Sequence, residues 1–196
     1  MASERLQKQI QFILEVDKLK QIFRQNHVSD GTRYENDAEH SWHMALMIML
    51  LSEYAADKVD AFRVMKMVLV HDIVEIDAGD TYCYDETAKL DQAERELKAA
   101  ERIFNLLPED QAKEIWSLWE EFEARETADA RFAAAIDRFQ PLMLSYHTRG
   151  IAWKENNIKA SQVIERNSPI GDGAPELWEV GRAFIEEAIQ QGILEP

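Results

Sequence analysis

The chain has 196 residues, and its 22 basic and 37 acidic side chains give it a net charge of −15 at pH 7. This length suits one domain with a sizeable core, and the acidic balance excludes a typical DNA- or RNA-binding protein, which presents a basic face. The most apolar run, residues 44–51, is far too short to cross a membrane. The single cysteine, Cys83, excludes an intrachain disulfide framework, so a reducing, cytoplasmic location is predicted.

The composition favours helices. Seven glycines and five prolines are few for this length, whereas strong helix formers are plentiful. Apolar residues recur at spacings of three and four, and no alternating strand pattern is present. The sequence therefore predicts an all-α single domain of about seven or eight helices over residues 1–196. Its core is expected over about residues 18–149, with C-terminal helices over residues 153–191 packed on it.

Capping residues and helix breakers set the predicted boundaries. The first helix is expected to begin after Ser3 and to end near residues 24–26, before a polar loop over residues 27–36. Asn36 and Glu39 have the spacing of a capping box, which predicts the start of the second helix. The helices that follow the first are predicted over residues 37–56, 61–76, 87–107, 109–124, 128–148, 158–166 and 175–190.

One short stretch, residues 70–81, places a histidine and an aspartate side by side after an apolar run. His71 and Asp72 are costly to bury without partners, so a cation or a hydrogen-bond network is expected around them. His40 and Asp137 lie on or beside the apolar faces of two other predicted helices and would also point inward. Two imidazoles and two carboxylates suit a divalent transition metal, and the absence of thiolates argues against a closed structural zinc site.

Each of these residues, taken alone, has a simpler explanation. A single helical histidine is most often a core or surface residue, and Asp137 beside Arg138 could be a surface charge. His43, one turn after His40, could also reach a metal or occupy a polar edge. Four protein ligands leave room for water and substrate only around a five- or six-coordinate ion. That requirement favours Mn, Co or Ni over tetrahedral Zn, with Fe a further candidate.

The combination of His40, the His71-Asp72 dipeptide and Asp137 resembles the H…HD…D signature of the HD-domain metal-dependent phosphohydrolases. The resemblance extends over about residues 18–149. Residues 39–41, Glu-His-Ser, follow Arg33 at the interval typical of that family. The string over residues 71–80, HD-x-x-E-x-x-x-G-D, is similar to that of the small bacterial and eukaryotic 5'-deoxynucleotidases. The dipeptide alone is a weak signal, whereas the combined string is fairly specific.

The resemblance implies a role for each matching position. Glu75, one helical turn beyond His71, would orient the attacking water or protonate the leaving alkoxide. Asp80 would approach the same water or the sugar. Phosphate would be bound by arginine, whose planar guanidinium suits that task. The implied residues are His40, His71, Asp72 and Asp137 for one divalent metal ion per chain, Glu75 and Asp80 for catalysis, and Arg24, Arg33 and Thr81 for substrate binding.

The resemblance also implies a homodimer that removes phosphate from (deoxy)ribonucleoside 5'-monophosphates by metal-activated water. In the bacterial branch the early phosphate-binding arginine is followed by a tryptophan that crowds the sugar, whereas Arg24 is followed here by Gln25. Preference for deoxyribose over ribose therefore stays open. Two alternatives also stay open: the same metal site acting on a triphosphate, a cyclic nucleotide or a guanosine polyphosphate, and a non-catalytic helical ligand-binding protein.

Overall fold

The computed structural model describes residues 3–196, so the first two positions of the predicted domain lie outside the described residues. Within this range the chain is built almost entirely from helices, which confirms the all-α fold class. Eight of the eleven α-helices described here have at least eight residues. The α-helices are α1 (Glu4–Val16), α2 (Asp37–Leu51), α3 (Ala61–Val70), α4 (Glu75–Ala78), α5 (Gln92–Phe104), α6 (Glu109–Ala124), α7 (Ala128–His147), α8 (Ile151–Glu155), α9 (Ala160–Asn167), α10 (Ile170–Gly173) and α11 (Pro175–Gln190).

A short antiparallel hairpin lies where the sequence predicts the end of the first helix and a polar loop. α1 ends at Val16, and a 3-10 turn over Asp17–Gln21 leads into β1 (Phe23–His27), which pairs with β2 (Tyr34–Asn36). The prediction that the first helix continues to residues 24–26 is therefore wrong, and both ends of the predicted loop are strand. Strands of five and three residues with an irregular register are too short to produce a visible alternation of apolar and polar residues.

Local chemistry explains the turn of this hairpin. Gly31 adopts a left-handed conformation with φ of +72°, which a residue with a Cβ rarely takes. The Asp30 carboxylate accepts hydrogen bonds from both the backbone N–H and the hydroxyl of Thr32, as in an Asx turn. The consequence for the site is that β1 carries Arg24 beside α2 instead of on the end of a helix.

Side-chain caps begin the helices that carry the site. The Asn36 side chain accepts from the backbone N–H of Glu39, and the Glu39 carboxylate accepts from the backbone N–H of Asn36. The predicted capping box of α2 is therefore confirmed. α2 ends at Leu51, before the predicted boundary. The helix predicted over residues 61–76 is instead three pieces: α3, a tight 3-10 segment over His71–Val74, and α4.

The longest helix, α7, is central to the bundle. Helices α2, α3, α6, α9, α10 and α11 all pack against it. Phe132 and Ile136 on α7, Met44 and Ile48 on α2, and Met67 on α3 are completely buried. Because α2, α3 and α7 share this core, polar side chains that point inward from them must meet. Among residues 3–196, none of the helices combines the length and the apolarity that a membrane span needs.

Candidate metal centre and active site

The four predicted metal ligands converge although they are far apart in the sequence. His40 comes from α2, His71 and Asp72 from the 3-10 segment, and Asp137 from α7. Ligand atoms of His40, His71 and Asp72 all lie within 4.8 Å of one another. Oδ1 of Asp137 lies 3.2 Å from Nε2 of His40 and 3.8 Å from Nε2 of His71. All four residues are buried.

Neighbouring acceptors orient both imidazoles. Nδ1 of His40 lies 3.0 Å from Oε1 of Gln140, and Nδ1 of His71 lies 2.9 Å from the carbonyl oxygen of Val68. The Gln140 amide is itself fixed, because its Nε2 donates to Oε1 of Glu35 at 2.7 Å and a carboxylate only accepts. Both Nδ1 atoms must therefore donate, which leaves the Nε2 lone pairs for a metal.

The electrostatics of this centre fit a divalent cation. Nε2 of His71 is buried, lies 3.0 Å from Oδ1 of Asp72 and has no hydrogen-bond partner among the described residues. Burial opposes a charge on His71, yet Asp72 and Asp137 raise its pKa to about 10. Two buried carboxylates therefore need a positive charge at this point. Two imidazole nitrogens and two carboxylates can hold a divalent metal there.

A second group of acids lies next to the first and is connected to it by Arg24. Asp37, Glu75 and Asp80 offer carboxylate oxygens that all lie within 4.8 Å of one another. Nη1 of Arg24 lies 2.9 Å from Oδ2 of Asp72, 3.3 Å from Oδ1 of Asp37 and 4.0 Å from Oδ1 of Asp80. The hairpin thus places one guanidinium between the two groups of acids.

Burial and mutual repulsion raise the pKa values of this second group. Burial, together with the charge of Asp72, raises the pKa of Asp37 to about 7. The pKa of Glu75 lies well above its usual value because Glu75 is buried and faces Asp72 and Asp37. Burial also raises the pKa of Asp80, although Arg24 opposes the change. A raised pKa favours the protonated carboxyl of Glu75, which is the form that a general acid needs.

These groups open into a cleft with an empty volume of about 1080 Å³, including its mouth. His71, Asp72 and Asp137 line it, and so do the predicted catalytic residues Glu75 and Asp80. Among the predicted substrate-binding residues, Arg24 and Thr81 line the cleft. Thr81 also accepts a hydrogen bond from Arg95 at 3.0 Å.

Arg33 is the one predicted site residue that the structure brings neither to the metal centre nor to the cleft. Its side chain is 53% exposed and pairs with both carboxylate oxygens of Glu39, at 2.7 and 2.8 Å. His43, an alternative ligand, accepts a hydrogen bond from Nε2 of Gln140 at 3.1 Å. It belongs to neither group of potential metal ligands found within residues 3–196.

Several site residues were missed by the sequence analysis. Gln140 lies three residues after Asp137 and so shares its helix face, a spacing that could have identified it. Asp37 was hidden in the first turn of α2, where an acid is expected as a partner of the helix dipole. Arg166 lies in the C-terminal region, which carries no recognisable motif, and no sequence signal would have found it.

Arg138 and Arg166 form a pair of cations on the Asp137 side of the cleft, which both line. Nη2 of Arg166 lies 3.9 Å from Oδ2 of Asp137, and Nε of Arg138 donates to the backbone oxygen of Arg166 at 3.2 Å. Burial, followed by the nearby charge of Arg166, lowers the pKa of Arg138 to about 10. Burial raises the pKa of the Cys83 thiol, while a contact with Arg166 opposes that change.

Comparisons with known proteins agree with this geometry. A family model described as an HD domain matches residues 16–178. The chain is 33% identical over 151 residues to the human 5'-deoxynucleotidase HDDC2, covering 76% of this chain and 72% of that protein. It is 31% identical over 181 residues to the 5'-deoxynucleotidase HDDC2 of Xenopus laevis, covering 91% of this chain and 86% of that protein.

A solved structure is more similar still. The crystal structure of a predicted metal-dependent phosphohydrolase from Magnetospirillum magnetotacticum is 52% identical, with a TM-score of 0.94 over 98% of this chain and 96% of that one. The resemblance inferred from the sequence motifs is therefore confirmed. Because the family model spans most of the chain and the signature residues meet at one centre, this chain belongs to the HD-domain family.

Proposed function

We propose that the chain is a metal-dependent phosphohydrolase that removes phosphate from nucleoside 5'-monophosphates, with deoxyribonucleotides preferred. The observation that carries the proposal is that His40, His71, Asp72 and Asp137 meet beside a cleft that Glu75, with its raised pKa, also lines. The relatives named 5'-deoxynucleotidases support the substrate class. The complete ligand set disfavours a non-catalytic binding protein.

His40, His71, Asp72 and Asp137 would hold one divalent ion. Such an ion supplies Lewis-acid chemistry, because it makes water more acidic and offsets negative charge on phosphoryl oxygens. Mn, Co and Ni are favoured over tetrahedral Zn, with Fe a further candidate, because four protein ligands leave open positions only around an ion that accepts five or six. The donated Nδ1 hydrogen bonds fix both imidazoles in the ligating tautomer before the ion arrives.

Glu75 and Asp80 have complementary proton roles. A water molecule attacks phosphorus and gives a proton to Asp80, whose raised pKa makes it a better base than an exposed aspartate. As the bond from phosphorus to the 5' oxygen breaks, Glu75 gives its proton to that oxygen. The products are the nucleoside and inorganic phosphate, and the two carboxyl groups exchange the proton back through solvent.

Arg24 and Thr81 are the substrate contacts supported by their positions in the cleft. Nε of Arg24 is buried and has no hydrogen-bond partner within residues 3–196, so it can donate to a phosphoryl oxygen. Arg33 is too exposed to take part. Gln25 follows Arg24 and also lines the cleft, so the side chain at this position would face the sugar and influence the choice between deoxyribose and ribose.

A homodimer is proposed through the outer surface of α2 and α3, which we call the α2–α3 face. It consists of Trp42, Leu46, Met49, Leu50, Phe62 and Leu69. Four of these side chains, Trp42, Met49, Leu50 and Phe62, are each 64–66% exposed. Together the six expose on the order of 700 Å² of largely apolar surface, close to the ~800 Å² that each partner buries in a standard interface. All six residues are uncharged, so their burial against a second copy adds no charge repulsion of its own.

Domain organisation and location complete the proposal. Residues 1–196 would act as one domain, because α9, α10 and α11 pack on α7 and Arg166 from α9 lines the same cleft as Asp137. A cytoplasmic location is supported by the single cysteine, Cys83, which fits a reducing compartment.

The experiment that tests the function is phosphate release from a panel of nucleotides by chelator-treated protein. Mn, Co, Ni, Fe or Zn is added back singly, and His71→Ala and Glu75→Ala are measured beside the wild type. We expect release from 5'-monophosphates that requires both metal and the two side chains. Asp77→Asn, which changes an acid paired with Arg102 outside the cleft, is the control and should keep full activity.

The panel also separates the competing functions. Release only from triphosphates, cyclic nucleotides or guanosine polyphosphates would contradict the proposed substrate class while leaving the metal site intact. A lack of turnover on every phosphate ester, with metal bound, would support the binding-protein alternative. The ratio of deoxyribonucleotide to ribonucleotide turnover measures the sugar preference directly.

A further inference from the structure

We propose that Arg166, positioned by Arg138, binds the phosphate group of the substrate from the α9 side of the cleft. This inference rests on the proposed phosphohydrolase function and adds to it a phosphate ligand that lies outside every motif of the family signature. It assigns the main phosphate attraction to the C-terminal region of the chain.

The charge around Arg24 is the first reason. Its guanidinium has three carboxylates within 4.0 Å, those of Asp72, Asp37 and Asp80. One positive charge surrounded by several acids does not produce a positive field, so Arg24 alone attracts a phosphate dianion weakly. A cleft that binds such a dianion needs another cation.

Arg166 meets that need. Within residues 3–196, no carboxylate lies at hydrogen-bond distance from its guanidinium, and the nearest, Oδ2 of Asp137, is 3.9 Å away. The side chain is 29% exposed, so it is held against the protein and is still accessible to a ligand. Because Asp137 is one of the four metal ligands, an anion at the metal would lie within reach of Arg166.

Arg138 provides the second, independent observation. This residue is 7% exposed, and it donates hydrogen bonds to two backbone oxygens, those of Arg166 and Ala134, at 3.2 Å each. It therefore fixes the end of α9 on α7 and leaves its charge without a carboxylate partner at hydrogen-bond distance. Two adjacent guanidiniums without such a partner, in a chain of net charge −15, are explained by an anion that binds between them and the metal.

The test compares wild type, Arg166→Ala, Arg166→Gln and Arg166→Lys, all loaded with Mn. KM and kcat are measured for a nucleoside 5'-monophosphate, together with the inhibition constant of inorganic phosphate. We expect Arg166→Ala and Arg166→Gln to raise both KM and the phosphate inhibition constant by a similar factor of about 10 to 100, with a smaller change in kcat. Arg166→Lys should keep part of the affinity because it keeps the positive charge, but not all of it, because lysine cannot form the bidentate hydrogen bonds of a guanidinium.

Arg182→Ala is the matched control. Arg182 is an exposed arginine of α11 that pairs with Glu186 and lies away from the cleft, so neither constant should change. Far-ultraviolet circular dichroism checks that each variant folds, and Arg166→Gln and Arg166→Lys keep the measurement possible if the alanine variant does not.

Two results would overturn the proposal while leaving the enzymatic function in place. One is an unchanged inhibition constant of phosphate in Arg166→Ala and Arg166→Gln, and the other is a fall in kcat alone. If the wild type hydrolyses no nucleotide, the proposed function fails, and calorimetric titration of the Mn-loaded protein with inorganic phosphate decides the subsite by itself. Phosphate binding that Arg166→Ala abolishes would support the subsite, whereas binding that it retains would reject it.

Discussion

The metal centre shows how much of a site individual residues reveal. Histidine and aspartate on apolar helix faces are costly to bury, so their combination pointed to a metal centre, and the family resemblance supplied their individual roles. Arg33 shows the limit of this reasoning. It lies beside the motif in the sequence, but the capping residue Glu39 is the nearest carboxylate, and the pair remains at the surface. A sequence interval cannot say which acid an arginine side chain will meet.

Gln140 gives a prediction at the same scale, because its hydrogen bond to Nδ1 of His40 leaves Nε2 for the proposed metal ion. Gln140→Leu removes the acceptor of the Nδ1 hydrogen, so the ring can rotate or change tautomer. We expect a loss of metal affinity of about 10- to 100-fold, the usual effect of removing such a support. Calorimetric titration of the metal-free protein with Mn measures it.

The control for this prediction is Gln191→Leu. Gln191 is exposed, and its side chain donates to Glu187 in the last turn of α11, so the loss of this side chain should leave the affinity for Mn unchanged. An unchanged affinity in Gln140→Leu, with a normal circular dichroism spectrum, would mean that the orientation of His40 does not depend on Gln140.

At the scale of elements, helices with side-chain caps were predictable, whereas the short connecting elements were not. The caps of α2 and α3 are local hydrogen bonds that the sequence displays directly. The hairpin, α8 and α10 have only three to five residues in each element, too few for a periodic pattern. The 3-10 segment at His71–Val74 tightens a helix that the periodicity describes as continuous, and it sets the directions of two proposed metal ligands. Tertiary packing decides such details.

One of these short elements, α10, yields a prediction about stability. A Cβ on Gly173 would lie 2.2 Å from the carbonyl oxygen of Arg131 on α7, which is backbone and cannot move aside. Gly173→Ala must therefore push α10 away from α7 and disturb the hydrogen bond from the Ala56 N–H to the Gly173 oxygen. We expect a loss of about 1–3 kcal/mol in the free energy of unfolding, the usual cost of overpacking.

Urea denaturation followed by circular dichroism checks this value. Gly171→Ala, in the same short helix, is the control, since its added methyl would meet the side chain of Trp178 at 3.3 Å, which can adjust. Equal stability of both variants and the wild type would show that α10 can shift on α7 without cost.

At the scale of the whole molecule, the negative charge opposes association between copies of the chain, whereas the exposed apolar surface favours it. A net charge of −15 keeps copies of the chain apart, so stable association requires a surface on which apolar burial exceeds that repulsion. The sequence could not locate this surface. The apolar residues of α2 look like core positions in the sequence, and only the packing on α7 shows which half of them faces outward.

The α2–α3 face makes assembly testable. Met49→Glu places a charge on the α2–α3 face, and a symmetric interface would bury that charge from both copies, so we expect it to convert a dimer into monomers. The molar mass measured by light scattering coupled to size-exclusion chromatography should then fall from twice 22.7 kDa to 22.7 kDa.

Leu14→Glu is the control, because it changes a similarly exposed leucine on α1 and should leave the dimer intact. Dissociation by Leu14→Glu alone would move the interface to α1, and a monomeric wild type would remove the dimer from the proposal. Met49 lies outside the cleft, so a monomer that keeps its phosphatase activity would also show that each copy holds a complete site.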